Sequence, residues 1–557
     1  PGHEQAPLEL LTASYYAAPD DGNPQDRTVF VVPLPFAVEP GGEVQVELAW
    51  RARVPRTFAR TGFRGDYFFF AHWFPKLGVF EEDGWNCHQY HNLTEYYSDF
   101  GNYRVSMTVP AGWVLGATGR EVERTAHDDG SETHVYEQHD VHAFSWTTSP
   151  DFVVREQRFE RAGLPPVDIR LLLQPEHLAQ AERHFHATAA GLEHYGTWYG
   201  PYPYGHVTVV DPAYGSDTGG MEYPTFFTCG TRIFNPFGAD SPESVTIHEV
   251  GHQFWYGVVA NNEFEHAWID EGLNTFSTIR TLDATYPPLE LVQRYLAPPG
   301  EDSSRGFLPV SIDGVELSRF TRRLDRYREH AEVADLDGFT FEYYPDGGSS
   351  LSYDKTALWL ATLERHLGWE TLQTILSTFF ERHRFGHATP DAFLDTVEEF
   401  AGPMDWFFDQ VYRDAVVFDY AVDSVHSAPV EAEGFTQRDG EMVRTRREGQ
   451  GSDFRTEVMV RRVGGGVFPV DVVLTFEDGQ RIRKHWSGEE RSKLFVVERA
   501  AKIERAEVDP DRVLMLDVDY TNNSRLREPR ARLPAVKWAS KWMIWFQDAM
   551  ATFAYFI

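Results

Sequence analysis

Residues 244–255 read SVTIHEVGHQFW, and this short run restricts what the chain can fold into more than any other. His248 and His252 stand four residues apart, with Glu249 directly after the first. On a helix that spacing is about one turn, so both rings project from one face. Two imidazoles so placed share one Zn2+ at about 2.0–2.1 Å each. Glu249 then reaches the water beside such an ion without ligating it. The same letters also fit two half-buried histidines on an ordinary amphipathic helix, and the chain has 22 histidines to supply such a coincidence. Pro242 and Glu243 suit the first turn of this helix, with Ser241 as its cap.

A catalytic zinc needs a third protein ligand and an open position. The run HAWIDEGLNTF, from His266 to Phe276, offers Glu271, with 18 residues between it and His252. That gap suits a helix end, a loop and a return into an antiparallel neighbour. Asp270 and Asn274 flank the glutamate and are placed to support the ligands from behind.

The surrounding chain alternates in character. RTVFVVPLPF, EVQVELAWRARV, YRVSMTVP and AFSWTTSPDFVV, between residues 27 and 155, are short, β-branched and aromatic, so they read as strands. VDIRLLLQ, GHVTVVDP and MEYPTFFTCG continue that pattern around a helical stretch at 175–200, and helices dominate from there to about 415. FRTEVMVRR, FPVDVVLTF, RIRKHW, SKLFVVE and RVLMLDV, between 454 and 518, restore the strand signal.

Taken together, the motifs resemble the aminopeptidase N family, gluzincin zinc metallopeptidases that include leukotriene-A hydrolase. H-E-x-x-H, 18 residues and then a glutamate match its metal motif, although DEG stands here for the usual NEG. GGMEY (Gly219, Gly220, Met221, Glu222, Tyr223) matches the family's G-x-M-E-N, with Tyr223 in place of Asn. LSYDKTALWL matches the downstream SY-x-K-G segment through Tyr353 and Lys355.

The resemblance implies a multidomain α+β protein. An N-terminal β domain would cover 1–157, a thermolysin-like catalytic domain 158–418, and a small β-sandwich 419–520. A C-terminal helical segment, 521–557, would follow. It implies one Zn2+ per chain on His248, His252 and Glu271, with Glu249 as general base on a metal-activated water. Tyr353 would donate to the oxyanion. Glu222 would hold the α-ammonium of a peptide with a free N-terminus, beside Gly219, Gly220, Met221 and Tyr223, which gives an aminopeptidase. Gln89 or Glu95 would add a second amine contact from the N-terminal domain. A zinc hydrolase of another substrate class and a non-catalytic scaffold with this fold are the alternatives.

Charge narrows the partners. Eighty-five acidic against 51 basic side chains leave a formal net charge of −34, a field that repels nucleic acid. Cys87 and Cys229 are too few for a disulfide framework. The opening PGHEQAPLELL, with neither an initiator Met nor a signal-peptide pattern, reads as a trimmed N-terminus. At the other end, KWASKWMIWFQDAMATFAYFI predicts an amphipathic helix in which Trp538, Trp542, Trp545, Ala549 and Phe553 share a face. Such a face calls for cover from the chain's own body, a second copy of the chain or a membrane surface. An extracytoplasmic or membrane-associated setting is the expectation that follows.

Overall fold

The structure is a computed structural model that describes residues 8–56, 60–91, 96–216, 218–231, 241–287, 289–290, 316–343, 347–430, 432–447 and 453–556. It is mixed α/β and multidomain. Up to Ser149 the described chain forms strands and no helix longer than one turn. A three-stranded sheet joins Gly101–Pro110, Ser131–Val141 and Arg120–Ala126. A four-stranded one joins Gly62–Arg64, Tyr67–Phe70, Trp146–Ser149 and Val114–Ala117. Of the expected strands, the one in EVQVELAWRARV does not form: Val44, Val46, Leu48 and Trp50 are exposed and unladdered. Its alternation promises a buried face, and no described strand lies beside it to supply one.

The site is built on a five-stranded sheet. Its strands are β1 (Val153–Phe159), β2 (Val167–Leu173), β3 (His206–Val210), β4 (Met221–Tyr223) and β5 (Phe226–Thr228), ordered β1-β2-β3-β5-β4. β2, β3 and β5 run parallel, and β1 and β4 are antiparallel edges. β3 is buried throughout because helices cover one face and the N-terminal strands the other. Tyr67, Phe69 and Phe152 pack there against Leu172, Val210, Tyr223 and Phe226. The boundary expected at 157 falls inside β1, whose whole length pairs with β2.

Behind the sheet lie α1 (Ala181–Trp198) and α2 (Glu243–Gly251); α3 (Leu273–Thr285) packs on both, and α4 (Phe320–His330) packs on the turn at Ser350–Lys355. α1 buries Phe185, Leu192 and Tyr195, and α2 buries Ile247 and Val250. Three- and four-stranded sheets follow from Tyr420 to Leu526, and the last strand lies beyond the boundary expected at 520. RVLMLDV forms no strand; only Asp517 makes an isolated bridge.

The last helix, α5, spans Arg532–Phe556. Much of its described aromatic surface faces solvent. Trp538, Trp542 and Trp545 stand 64%, 57% and 62% exposed; Trp538 stacks on Trp542, and Trp545 meets Trp542 edge-on. The side chains of Ala549 and Phe553 lie outside the described set. No described helix is long and apolar enough to cross a membrane.

Candidate active site

α2 begins without the side-chain cap expected from Ser241; Pro242 precedes its first turn. Arg183 of α1 secures the start instead. It pairs with Glu243 at 2.5 and 2.6 Å and donates to the Ser241 carbonyl at 2.6 Å. His252 lies just past the helix end but keeps helical angles, so it stays on the face of His248. Gly251 lets α2 close on α1 and α3: a Cβ there would lie 1.8 Å from Asn274 Oδ1 and 2.4 Å from the Tyr195 hydroxyl.

His248, His252 and Glu271 converge. The two Nε2 atoms are 3.2 Å apart, and Glu271 Oε2 is 3.2 Å from one and 3.1 Å from the other. Ligands on a tetrahedral ion with bonds of about 2.0–2.1 Å sit roughly 3.3 Å apart, so the triangle fits one zinc. The electrostatics point the same way. Burial would lower the pKa of His252, but the Glu222 and Glu271 carboxylates outweigh it and push it well up. Burial would raise Glu271, yet the charge on His252 holds it far below the usual carboxylate range. His248 is lowered, chiefly by burial. Carboxylates thus crowd around the two histidines, which is the donor set a divalent cation takes.

Supporting contacts fix the rings. His252 Nδ1 is 3.2 Å from the Trp255 carbonyl, which leaves Nε2 to face the cluster. Asp270 lies further off, 3.9 Å from the same nitrogen. Burial and then the neighbouring Glu271 push its carboxyl up to about 7. Asn274 donates to the His248 carbonyl at 2.7 Å.

Glu249 is buried against Gly220, where a Cβ would come within 2.3 Å of its Oε1. Gly219 has open space around it, so Gly220 is the glycine that close approach requires. Glu222 projects from the edge strand β4. Its carboxylate shares a cluster with His252, Asp270 and Glu271 in which one ligand atom from each lies within 4.8 Å of the others. Burial pushes the Glu222 carboxyl up to about 7, against the pull of His252. Met221 and Tyr223 flank it. Tyr223 turns into the interface with the N-terminal strands, 5.7 Å between ring centroids from Phe69. Tyr353, in a π-helical turn at Ser350–Lys355, donates its hydroxyl to Glu271 Oε1 and lays its ring along His248. Lys355 points elsewhere and donates to the Asp414 carbonyl.

Gln89 spends its side-chain oxygen on the Asp20 and Asp21 amides, at 3.0 and 3.3 Å, and Glu95 lies outside the described residues. Besides Phe69, the N-terminal domain brings His72 to β4, 6.0 Å from the Tyr223 ring and stacked on Tyr96. Its backbone is left-handed, φ +48°, an uncommon state for a non-glycine residue. Gln253, next to a ligand, also goes unsignalled by the motif.

Two histidines and a glutamate are thus gathered where they can hold one metal ion, with the buried carboxylates of Glu222 and Glu249 nearby. No family model matches the chain. Curated relatives match part of the chain. Aminopeptidase M1 of Arabidopsis thaliana is 23% identical over 160 residues, which is 28% of this chain and 16% of that protein. Leucine aminopeptidase 2 of Ajellomyces capsulatus is 25% identical over 204 residues, 36% of this chain and 28% of the other. The chain thus spans under a third of the length of these relatives. Aminopeptidase A of Legionella pneumophila, solved with aspartic acid, shares the fold with a TM-score of 0.53 at 11% identity, over 75% of this chain and 44% of that one. These relatives support the resemblance to the aminopeptidase N family that the motifs carry.

Proposed function

We propose that the chain is a zinc-dependent aminopeptidase that releases N-terminal residues from peptides. The observation that carries this reading is the buried cluster in which His248, His252 and Glu271 sit together, with Glu222 beside them. Bound there, Zn2+ supplies Lewis acidity, which polarises the scissile carbonyl and acidifies water toward neutral pH.

The chain's own residues do the rest. β4 is an edge strand, so its outer side receives an extended peptide. Glu222 holds the peptide's α-ammonium and fixes the cut one residue in. Glu249 takes a proton from the attacking water as its oxygen bonds to the carbonyl carbon. It then passes that proton to the leaving amine nitrogen as the C–N bond breaks. The Tyr353 hydroxyl turns from Glu271 to the carbonyl oxygen as negative charge develops there. The scaffold alternative is disfavoured because scaffolds have no use for a ligand set, a base and a donor all kept in place.

Peptide substrates, the four-part domain division, and contact with a second copy or a membrane surface through α5 belong to the same proposal. So does the extracytoplasmic or membrane-associated setting. The test is metal analysis together with turnover of aminoacyl-anilides and their N-acetylated forms. One zinc per chain and a strong preference for the free amine support it. Glu249→Gln should keep the zinc and lose nearly all turnover, and Glu222→Ala should lose the free-amine preference. Full activity without metal, or equal cleavage of both substrate forms, would overturn it.

A further inference from the structure

The turn that joins β4 to β5 is strained, and a side chain from the metal-binding segment grips both of its arms. Thr225 has φ +60° and is fully buried. A β-branched residue seldom adopts that left-handed state, because its two γ atoms crowd the backbone, and it persists only where neighbours over-determine it. Here they do. The Thr225 amide donates to Gln253 Oε1 at 2.7 Å, and its hydroxyl accepts from the Gly119 amide at 2.8 Å. Its carbonyl accepts from the Thr208 amide at 2.9 Å. Gln253 makes a second bond, donating from Nε2 to the Tyr223 carbonyl at 3.1 Å.

One amide therefore clasps residues 223 and 225 across Pro224, using its acceptor on one arm and its donor on the other. Gln253 is the residue after the ligand His252, and Tyr223 is the residue after Glu222. The side chain is 1% exposed, so no water replaces either bond. We propose that Gln253 is a positioning residue that fixes the distance between the amine-holding carboxylate and the metal ligands. The clasp carries the strain of the turn and makes β4 move with the metal helix. Gly119 adds a third anchor from the N-terminal domain, so the turn also registers that domain against the site. The residue type follows from the geometry: glutamate lacks the donor, leucine lacks both groups, and asparagine is shorter by a methylene. This inference rests on the reading of Glu222 as the amine anchor.

The test compares zinc-loaded wild type with Gln253→Leu, Gln253→Glu and the double variant Gln253→Leu/Thr225→Gly. Hydrogen exchange over residues 221–228 reports the clasp, and Michaelis parameters on free-amine aminoacyl-anilides report positioning. Gln253→Leu should keep its zinc, exchange faster at the turn, and raise KM about tenfold with a smaller change in kcat. Gln253→Glu, which retains an acceptor for the Thr225 amide, should recover part of the loss. Glycine at 225 takes a positive φ without strain but gives up the bond from the Gly119 amide, so the double variant should move KM part of the way back toward wild type. A variant that is merely misfolded would show no such rescue. Unchanged exchange in Gln253→Leu, unchanged KM despite faster exchange, or no rescue in the double variant would each overturn the clasp. A wild type that cleaves free and N-acetylated substrates equally would sink the Glu222 reading instead; exchange and rescue then still decide whether Gln253 holds the turn.

Discussion

Asn274 Nδ2 donates to the backbone carbonyl of the metal-ligand candidate His248 across 2.7 Å, and the Tyr195 hydroxyl holds Asn274 from behind at 2.7 Å. The chain Tyr195–Asn274–His248 crosses from α1 through α3 to α2, all of it buried or nearly so. It fixes the helix that carries the ligands rather than the ligands alone. Outer partners of metal ligands commonly contribute about 10–100-fold in metal affinity. Asn274→Ala should therefore weaken zinc binding by about that factor, read by competition with a chelator. Affinity equal to wild type would show that α2 is held well enough by Arg183 and the core.

Gly220 gives a sharper steric prediction. A methyl at this position would lie 2.3 Å from Glu249 Oε1 and 2.8 Å from Val245 Cγ2. The ligands are not touched, so Gly220→Ala should retain zinc while kcat falls by about 100-fold or more as the base is displaced. Gly219→Ala, where no atom lies within 4 Å of the added carbon, should be far milder. Similar losses in both variants would mean that the glycines serve chain flexibility and not the fit against Glu249.

The spacing of His248, His252 and Glu271 was legible because helix geometry and coordination chemistry both act on intervals along the chain. Glu222 and Tyr353 were legible only through the family resemblance; alone, a glutamate on a short strand and a tyrosine on a helix carry no signal. His72 and Gln253 were not legible at all. The first depends on a left-handed backbone at a non-glycine residue, the second on which strand the amide meets across space. The strand expected in EVQVELAWRARV failed for a related reason. Alternation says which residues want burial but not whether a neighbouring strand is there to provide it.

α5 gives a prediction about solution behaviour. Trp538, Trp542, Met543, Trp545, Phe546 and Met550 are all more than half exposed. Rings so placed contribute little to the packing of the body and form an apolar surface that seeks cover. Removing residues 532–557 should leave the thermal midpoint and turnover of the body unchanged while abolishing detergent binding and self-association, followed by sedimentation. A large drop in the midpoint would show that the helix packs on the body after all.

His88 links the N-terminal region to the metal-site segment through a pair of carboxylates, and this makes stability depend on pH. Its Nδ1 is 2.9 Å from Asp20 Oδ1 and its Nε2 is 2.9 Å from Glu265 Oε1. Glu265 lies in the short helix Glu263–His266, six residues before the ligand Glu271. His91 contacts the other oxygen of Asp20 at 2.7 Å, Asn86 donates to Glu265, and His266 lies 3.9 Å from Glu265. Phe264, Phe339 and Phe341 close the apolar sides. Burial would lower the His88 pKa, but bonds to Glu265 and Asp20 outweigh it and raise it above the ordinary imidazole value. Burial would raise Asp20 and Glu265, yet their histidine partners hold both below the ordinary carboxylate range. The raised histidine stabilises fully below its unfolded value, about 6.5, and that contribution is lost as pH climbs through its folded value. The lowered carboxylates stabilise above their unfolded values, about 4, and that contribution is lost as pH falls through their folded ones. The junction is therefore strongest between about pH 4.5 and 6.5. Wild type should exceed His88→Gln in thermal midpoint by about 2 °C or more at pH 5.5, with the gap closing by about pH 8.5. A gap that stays constant, or widens, toward alkaline pH would show that His88 acts by packing against the three phenylalanines and not by its charge.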